Sequence, residues 1–204
     1  MIERSEKQKM ILDYLKSEKL LHRKLLSSDE WKCLGLCVSF VGYNRQNMSL
    51  EYLTSANSFV ANMIKKLKMY GEEERLKVAV LYGGTKHGID AIVEDICLKN
   101  FVPLVAVNYN IRYIPDAEAL PPLYLFDKKE DYLKSYHQRL RTIFITGGGE
   151  NIMENISYAM RYGVEVVLKD CARSTPSHDR LNNISNAAKI AADYFIGKNY
   201  VTYL

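Results

Sequence analysis

The chain has 204 residues, 48% of them hydrophobic, with 28 Lys and Arg against 24 Asp and Glu and a formal charge of +4. That length suits one medium-sized core with an added helical element better than two independent domains. The basic residues are spread rather than gathered into a tract, which argues against nucleic acid and membrane surfaces as partners, and no window approaches the roughly 18 apolar residues of a membrane-spanning helix.

Residues 2 to about 27 set Met10, Ile11, Tyr14, Leu15, Leu20, Leu21, Leu25 and Leu26 among Lys and Glu at helical spacing. The pattern predicts one helix or a pair, an N-terminal helical extension over 1–30. No apolar core of signal-peptide length is present, so a cytoplasmic protein is expected. "SSDEW" then reads as a helix cap or a loop. From 31 to 204 the rhythm changes to short apolar runs at 33–42, 76–84, 102–109, 142–148 and 164–170. Amphipathic segments lie between them near 49–72, 88–99, 128–140 and 150–162, with a last one near 180–195. Runs apolar on both faces that alternate with helices predict an α/β, Rossmann-like parallel sheet flanked by helices. The four cysteines, Cys33, Cys37, Cys97 and Cys171, have no CxxC spacing and no clustered histidines, so we expect reduced thiols and neither a metal site nor a cofactor.

In such sheets ligands bind where the strands end and the chain turns into the next helix. The turns are "GYNRQN" (42–47), "GGTKHG" (83–88), "NYNIRY" (108–113), "TGGGEN" (146–151) and "DCARSTPSHDR" (170–180). In "GGTKHG" the glycines Gly83, Gly84 and Gly88 let a ligand approach the backbone, amides at the helix start favour an anion, Thr85 offers a hydroxyl and Lys86 a charge. The other reading is a compact strand-to-helix turn. The spacing is neither GxGxxG nor a Walker loop. In "TGGGENIMEN", Gly147, Gly148 and Gly149 precede a helix opening with Glu150 and Asn151, and Glu154 reads as a residue placed to take ribose hydroxyls or act in acid/base chemistry, or as a solvated helix residue. Arg45 and Arg173, at strand ends, suit phosphates. His87 reads equally as a ligand contact or a surface residue. Tyr43, Tyr82, Tyr109 and Tyr113 are candidates for stacking on a base, whereas Asp90 and Glu94, one turn apart, read as a solvated helix face. The proline-rich stretch 113–129 reads as an irregular surface crossing or a lid.

"GGTKHG" after one strand and "TGGGENIMEN" after a later one resemble the SLOG superfamily of Rossmann-like domains, over about residues 33–200. That group includes lonely-guy phosphoribohydrolases, the DNA-processing protein DprA, TRPM channel domains and immune ligand sensors. Against the phosphoribohydrolase pattern PGGxGTxxE, Gly147, Gly148 and Glu154 match in register, while Thr146, Glu150 and Asn151 replace the proline, glycine and threonine. The glycine and threonine of that pattern help to hold a phosphate, and the enzymes also use an arginine that neither Arg139 nor Arg141 matches. "GGTKHG" is similar to the sensor-type members, which bind nucleotide-derived ligands without turnover. "FVGYNRQN", with Gly42 at its turn, and "CARS" resemble the first and last core turns. The resemblance therefore implies a nucleotide or NAD-derived (ADP-ribose-like) ligand at the strand ends, held by a sensor or sequestering protein. The alternative is a nucleotide N-glycosidase using Glu154. It also implies a homodimer.

Overall fold

The computed structural model describes residues 24–44, 48–110, 121–148, 151–169, 171 and 201–203. The extension before residue 24 and the helix expected at 180–195 lie outside these residues. The "SSDEW" stretch is a helix, α1 (Ser28–Lys32), because Ser27 and Glu30 cap each other: the Ser27 hydroxyl accepts from the Glu30 N–H at 3.2 Å, and the Glu30 carboxylate accepts from the Ser27 N–H at 2.9 Å. Buried Trp31 of this turn stacks on Tyr124 at 4.6 Å.

The remaining elements are β1 (Leu36–Val41), α2 (Leu50–Glu73), β2 (Val78–Tyr82), α3 (Gly88–Lys99), β3 (Leu104–Asn108), β4 (Leu123–Leu125), α4 (Lys129–Arg139), β5 (Leu140–Ile145), α5 (Asn151–Arg161), β6 (Glu165–Leu168) and β7 (Val201–Tyr203). The strands form one seven-stranded sheet in the order β4-β3-β2-β1-β5-β6-β7, parallel throughout. This is the expected Rossmann-like α/β fold. Two short strands depart from expectation. β4 lies inside the stretch read as irregular, and β7 lies beyond the last apolar run.

Alternation along the strands builds a core on each face. Val80 and Tyr82 of β2 pack with Tyr52, Ala56, Val60 and Ile64 of α2 and with Ile89 and Val93 of α3. Ala79 and Leu81 point the other way, into a cluster with Tyr136 of α4 and Ile152, Ile156 and Ala159 of α5. Both faces are thus covered, as a parallel sheet requires. Fully burying each large aliphatic side chain contributes about 1.5–3 kcal/mol. No described helix is long and apolar enough to cross a membrane.

The strand order fixes where a ligand crevice can open. From β1 the chain works outward through β2, β3 and β4, then returns to lay β5 on the opposite side of β1. The turns leaving β1 and β5 therefore diverge, and a gap opens at their carboxyl ends.

His137 of α4 is fully buried, its Nδ1 2.7 Å from the Leu133 carbonyl and its ring packed against Tyr136 and Tyr158. Burial holds its imidazole below the ordinary value of 6.5. The unfolded chain takes up a proton first as pH falls, so the stability associated with neutral His137 is present above about pH 6.5 and is lost as pH drops through the lowered folded value. Urea midpoints measured from about pH 8 down to 5 should fall with a steeper slope in the native protein than in His137→Gln; equal slopes would remove this residue from the acid response.

Candidate functional site

The ends of β1 and β5 are joined by a buried hydrogen-bonded junction. The Thr146 N–H donates to the Val41 carbonyl at 2.8 Å, and its hydroxyl donates to the same oxygen at 3.2 Å. The Tyr52 hydroxyl, 2.9 Å from Thr146 Oγ1, accepts from the Tyr43 N–H at 3.1 Å. The Thr146 carbonyl accepts from the Cys171 N–H at 3.2 Å, which brings in the turn after β6. Gly42 is where this junction needs a glycine, since a Cβ there would stand 2.3 Å from both Thr146 Oγ1 and the Tyr52 hydroxyl. Burial pushes the Tyr52 phenol far above its usual range, so it stays protonated and serves only as a hydrogen-bonding group.

The 83–88 loop is held from within. Asp90, only 2% exposed, accepts from the Thr85 N–H at 3.0 Å and the Thr85 hydroxyl at 2.9 Å through Oδ2, and from the Gly83 N–H at 3.4 Å through Oδ1. Lys86 is ion-paired with Glu94, whose other oxygen accepts from the Tyr82 hydroxyl at 2.7 Å. At the start of α3, the Ile89 N–H donates to the Tyr43 carbonyl at 3.0 Å and the Asp90 N–H to Asn44 Oδ1 at 3.3 Å. One expectation is corrected here. Asp90 and Glu94 are buried rather than solvated, and they take the Gly83 and Thr85 amides, the Thr85 hydroxyl and the Lys86 ammonium as partners. The physical reason is that a buried carboxylate must be supplied with donors, and this loop supplies them. Burial, the larger influence, leaves the Asp90 carboxyl above the ordinary range despite its hydrogen bonds from Thr85 and Gly83.

A cavity of about 330 Å³ opens at the crossover between β1 and β5. Gly42, Tyr43 and Asn44 line it from the β1 turn, Gly83 and Asp90 from the β2 side, Tyr132 and Tyr136 from α4, and Ile152 and Asn155 from α5. Tyr132 and Tyr136, one helical turn apart, lie 5.2 Å apart between ring centroids, and the Tyr136 hydroxyl is hydrogen-bonded to buried Ser39. Burial raises both phenols well above their normal range, keeping them neutral. Among the described residues the lining carries one acidic group, two side-chain amides and no cation. It can hydrogen-bond and flank a flat polar molecule.

Of the residues expected at the site, Gly42 and Gly83 line the cavity, while Gly84, Thr85, Lys86 and Gly88 belong to the loop beside it. Gly147 and Gly148 adopt φ of 135° and 142°, which glycine alone adopts readily, and a Cβ on Gly148 would come within 2.4 Å of Ile152. Asn151 opens α5. Glu154, half-buried, is paired with Lys129 of α4 at 2.9 Å and is not among the lining residues. Arg45, Gly149 and Arg173 lie outside the described residues, as do Glu150 and Tyr113. His87 is exposed and precedes α3. Of the expected stacking tyrosines, Tyr43 lines the cavity and packs against Tyr52, whereas Tyr82 bonds Glu94 and Tyr109 packs on Tyr132 at 5.3 Å. The sequence reading missed Asn44, Asp90, Tyr132, Tyr136 and Asn155. The i,i+4 pair of tyrosines on α4 was a usable signal.

No protein-family model and no curated protein matches the chain. Solved structures do share its fold. The molybdenum cofactor carrier protein from Chlamydomonas reinhardtii aligns with 82% of this chain and 88% of its own at a TM-score of 0.53 and 14% identity. A second structure of the Chlamydomonas carrier gives the same coverage and TM-score at 11% identity. The molybdenum cofactor binding protein from Rippkaea orientalis aligns with 80% of this chain and 98% of its own, at a TM-score of 0.50 and 13% identity. At these identities the likeness establishes the Rossmann-like architecture.

Because the Tyr52 hydroxyl serves both the Tyr43 N–H and Thr146, Tyr52→Phe strips partners from buried groups on two strand ends. It should lower unfolding free energy by about 1–3 kcal/mol in denaturant titrations, whereas Tyr70→Phe on an exposed face of α2 should leave it unchanged.

Proposed function

We propose that this chain binds a nucleotide-derived small molecule in the crevice between the ends of β1 and β5, and holds it intact as a sensor or sequestering protein. The observation that carries the reading is the cavity at the crossover, lined by Gly42, Asn44, Asp90 and Asn155 with Tyr132 and Tyr136 beside them. Its volume is at the lower end of the range for small-molecule sites, enough for the heterocycle and part of a sugar.

Two further points favour holding over cleavage. Glu154, the acid/base candidate, has its carboxylate paired with Lys129 and lies outside the cavity lining. The 146–151 turn also carries Glu150 and Asn151 where the SLOG phosphoribohydrolases have the glycine and threonine that help to hold a phosphate. Membership of that superfamily is part of the proposal, and ADP-ribose-like molecules are one class of ligand it embraces. The structural neighbours are named as carrier and binding proteins for the molybdenum cofactor, a cargo role of the same kind.

The test is chromatographic. Incubated with AMP, NAD and ADP-ribose, the protein should release no free base above a protein-free control, and Glu154→Ala should leave that result unchanged. Time-dependent base release that disappears in Glu154→Ala would overturn the holding role and make this an N-glycosidase.

A further inference from the structure

We propose that the groove between α2 and the end of β6 is a second binding site, for a small organic phosphate with an apolar body, separate from the crevice between β1 and β5. The groove has a volume of about 530 Å³, within the range of small-molecule sites. Ser55, Ser58, Phe59, Asn62, Met63 and Lys66 recur three and four residues apart, so they form one face of α2, and Lys169 completes the lining from the sheet. Alternation along β6 puts Lys169 there: Val167 belongs to the core under α2, Leu168 to the opposite one, and the next residue returns to the α2 side. The Lys169 N–H donates to the Ile145 carbonyl at 2.8 Å, which sets it next to Phe144, the ring on which Phe59 packs at 6.0 Å.

The charge pattern points to an anion. Lys24, Lys32, Lys86, Lys99 and Lys129 are each paired with a carboxylate, whereas among the described residues Lys66 and Lys169 have no such partner and no carboxylate lines the groove. Lys169 is half-buried, and taking an ammonium partly out of water with no acid beside it costs free energy that a bound anion offsets. Ser55, Ser58 and Asn62 add donors. Their side chains make no hydrogen bond among the described residues, while neighbouring Thr54 is turned back onto the Leu50 carbonyl at 2.8 Å. Beneath them Phe59, 8% exposed, and half-buried Met63 form an apolar floor, backed by Phe144, which stacks on Phe40 at 4.8 Å. Two ammonium groups with hydroxyl and amide donors suit the oxygens of a phosphate, and the floor suits an apolar or flat body beside it. The crevice has the opposite character, an acid and no cation among its described lining. Phe59 is recessed rather than protruding, which fits a free molecule and not a lipid surface.

Phenyl phosphate, inorganic phosphate and phenol are the probes, titrated into the isotope-labelled protein and followed by amide chemical shifts, with thermal melting as the check on folding of each variant. Phenyl phosphate should bind more tightly than either of its parts, and should shift the amides of residues 55–66 and Lys169 rather than those of Asn44, Gly83 and Asn155. Lys169→Met should weaken it about tenfold and Lys66→Met less, because Lys66 is the more exposed, while Lys134→Met on the exposed side of α4 should change nothing. Vesicles of phosphatidylcholine and phosphatidic acid should not sediment the protein. The proposal is overturned if phenyl phosphate does not bind, if it binds equally to all the lysine variants, or if its shifts fall on the crevice residues instead. Sedimentation with the vesicles that is lost in Lys169→Met would overturn the assignment to a free small molecule. Each of these failures leaves the crevice reading standing, since that reading is tested with AMP, NAD and ADP-ribose.

Discussion

A carboxylate taken out of water must be given donors, and the way Asp90 obtains them governs this protein's ligand edge. With 2% exposure it draws the Thr85 amide and hydroxyl and the Gly83 amide onto itself. Leaving such a group unsatisfied would cost several kcal/mol, so the conformation of the glycine loop and the position of the acid are set together. Glu94, one turn further along α3, repeats the arrangement with Tyr82 and Lys86. The loop that looks in the sequence like a phosphate cradle thus gives its Gly83 and Thr85 donors to an acid of the helix that follows it.

The second constraint is the junction that Tyr52, Thr146 and Gly42 make between the ends of β1 and β5. The sheet order alone would open a crevice there, but the junction determines its walls, because Tyr43, Gly42 and Gly148 are positioned by it or packed next to it. Stability and binding geometry thus depend on the same few hydrogen bonds. The Lys129–Glu154 pair, which connects α4 to α5, lies outside the cavity lining. Two of the three tyrosines that line it, Tyr132 and Tyr136, belong to the same α4 whose first residue holds Glu154.

The sheet was legible in the sequence because its central strands are apolar on both faces, and β2 and β3 are buried at every position. The strand-end turns were legible for the same reason, since glycine clusters stop those runs. β4 was not, because three residues behind a proline pair give no periodicity, and its pairing with β3 is a long-range choice. Nor were Asp90 and Glu94. Their spacing on α3 is what an exposed helix face would show, and only the folded loop supplies the donors that let them be buried. The cavity wall from α4 was missed because attention to turns passes over helices, although Tyr132 and Tyr136 are one turn apart.

The central claim is that the crevice between β1 and β5 retains an intact heterocyclic ligand. It is tested most directly by denaturing the purified protein and identifying any released small molecule by mass spectrometry, with Tyr132→Leu and Asp90→Asn preparations alongside. The account predicts an intact nucleotide-like or related heterocyclic molecule from the native protein and depletion of it in both variants. A heterocyclic molecule recovered equally from all three preparations would contradict it, as would a released compound lacking any ring nitrogen.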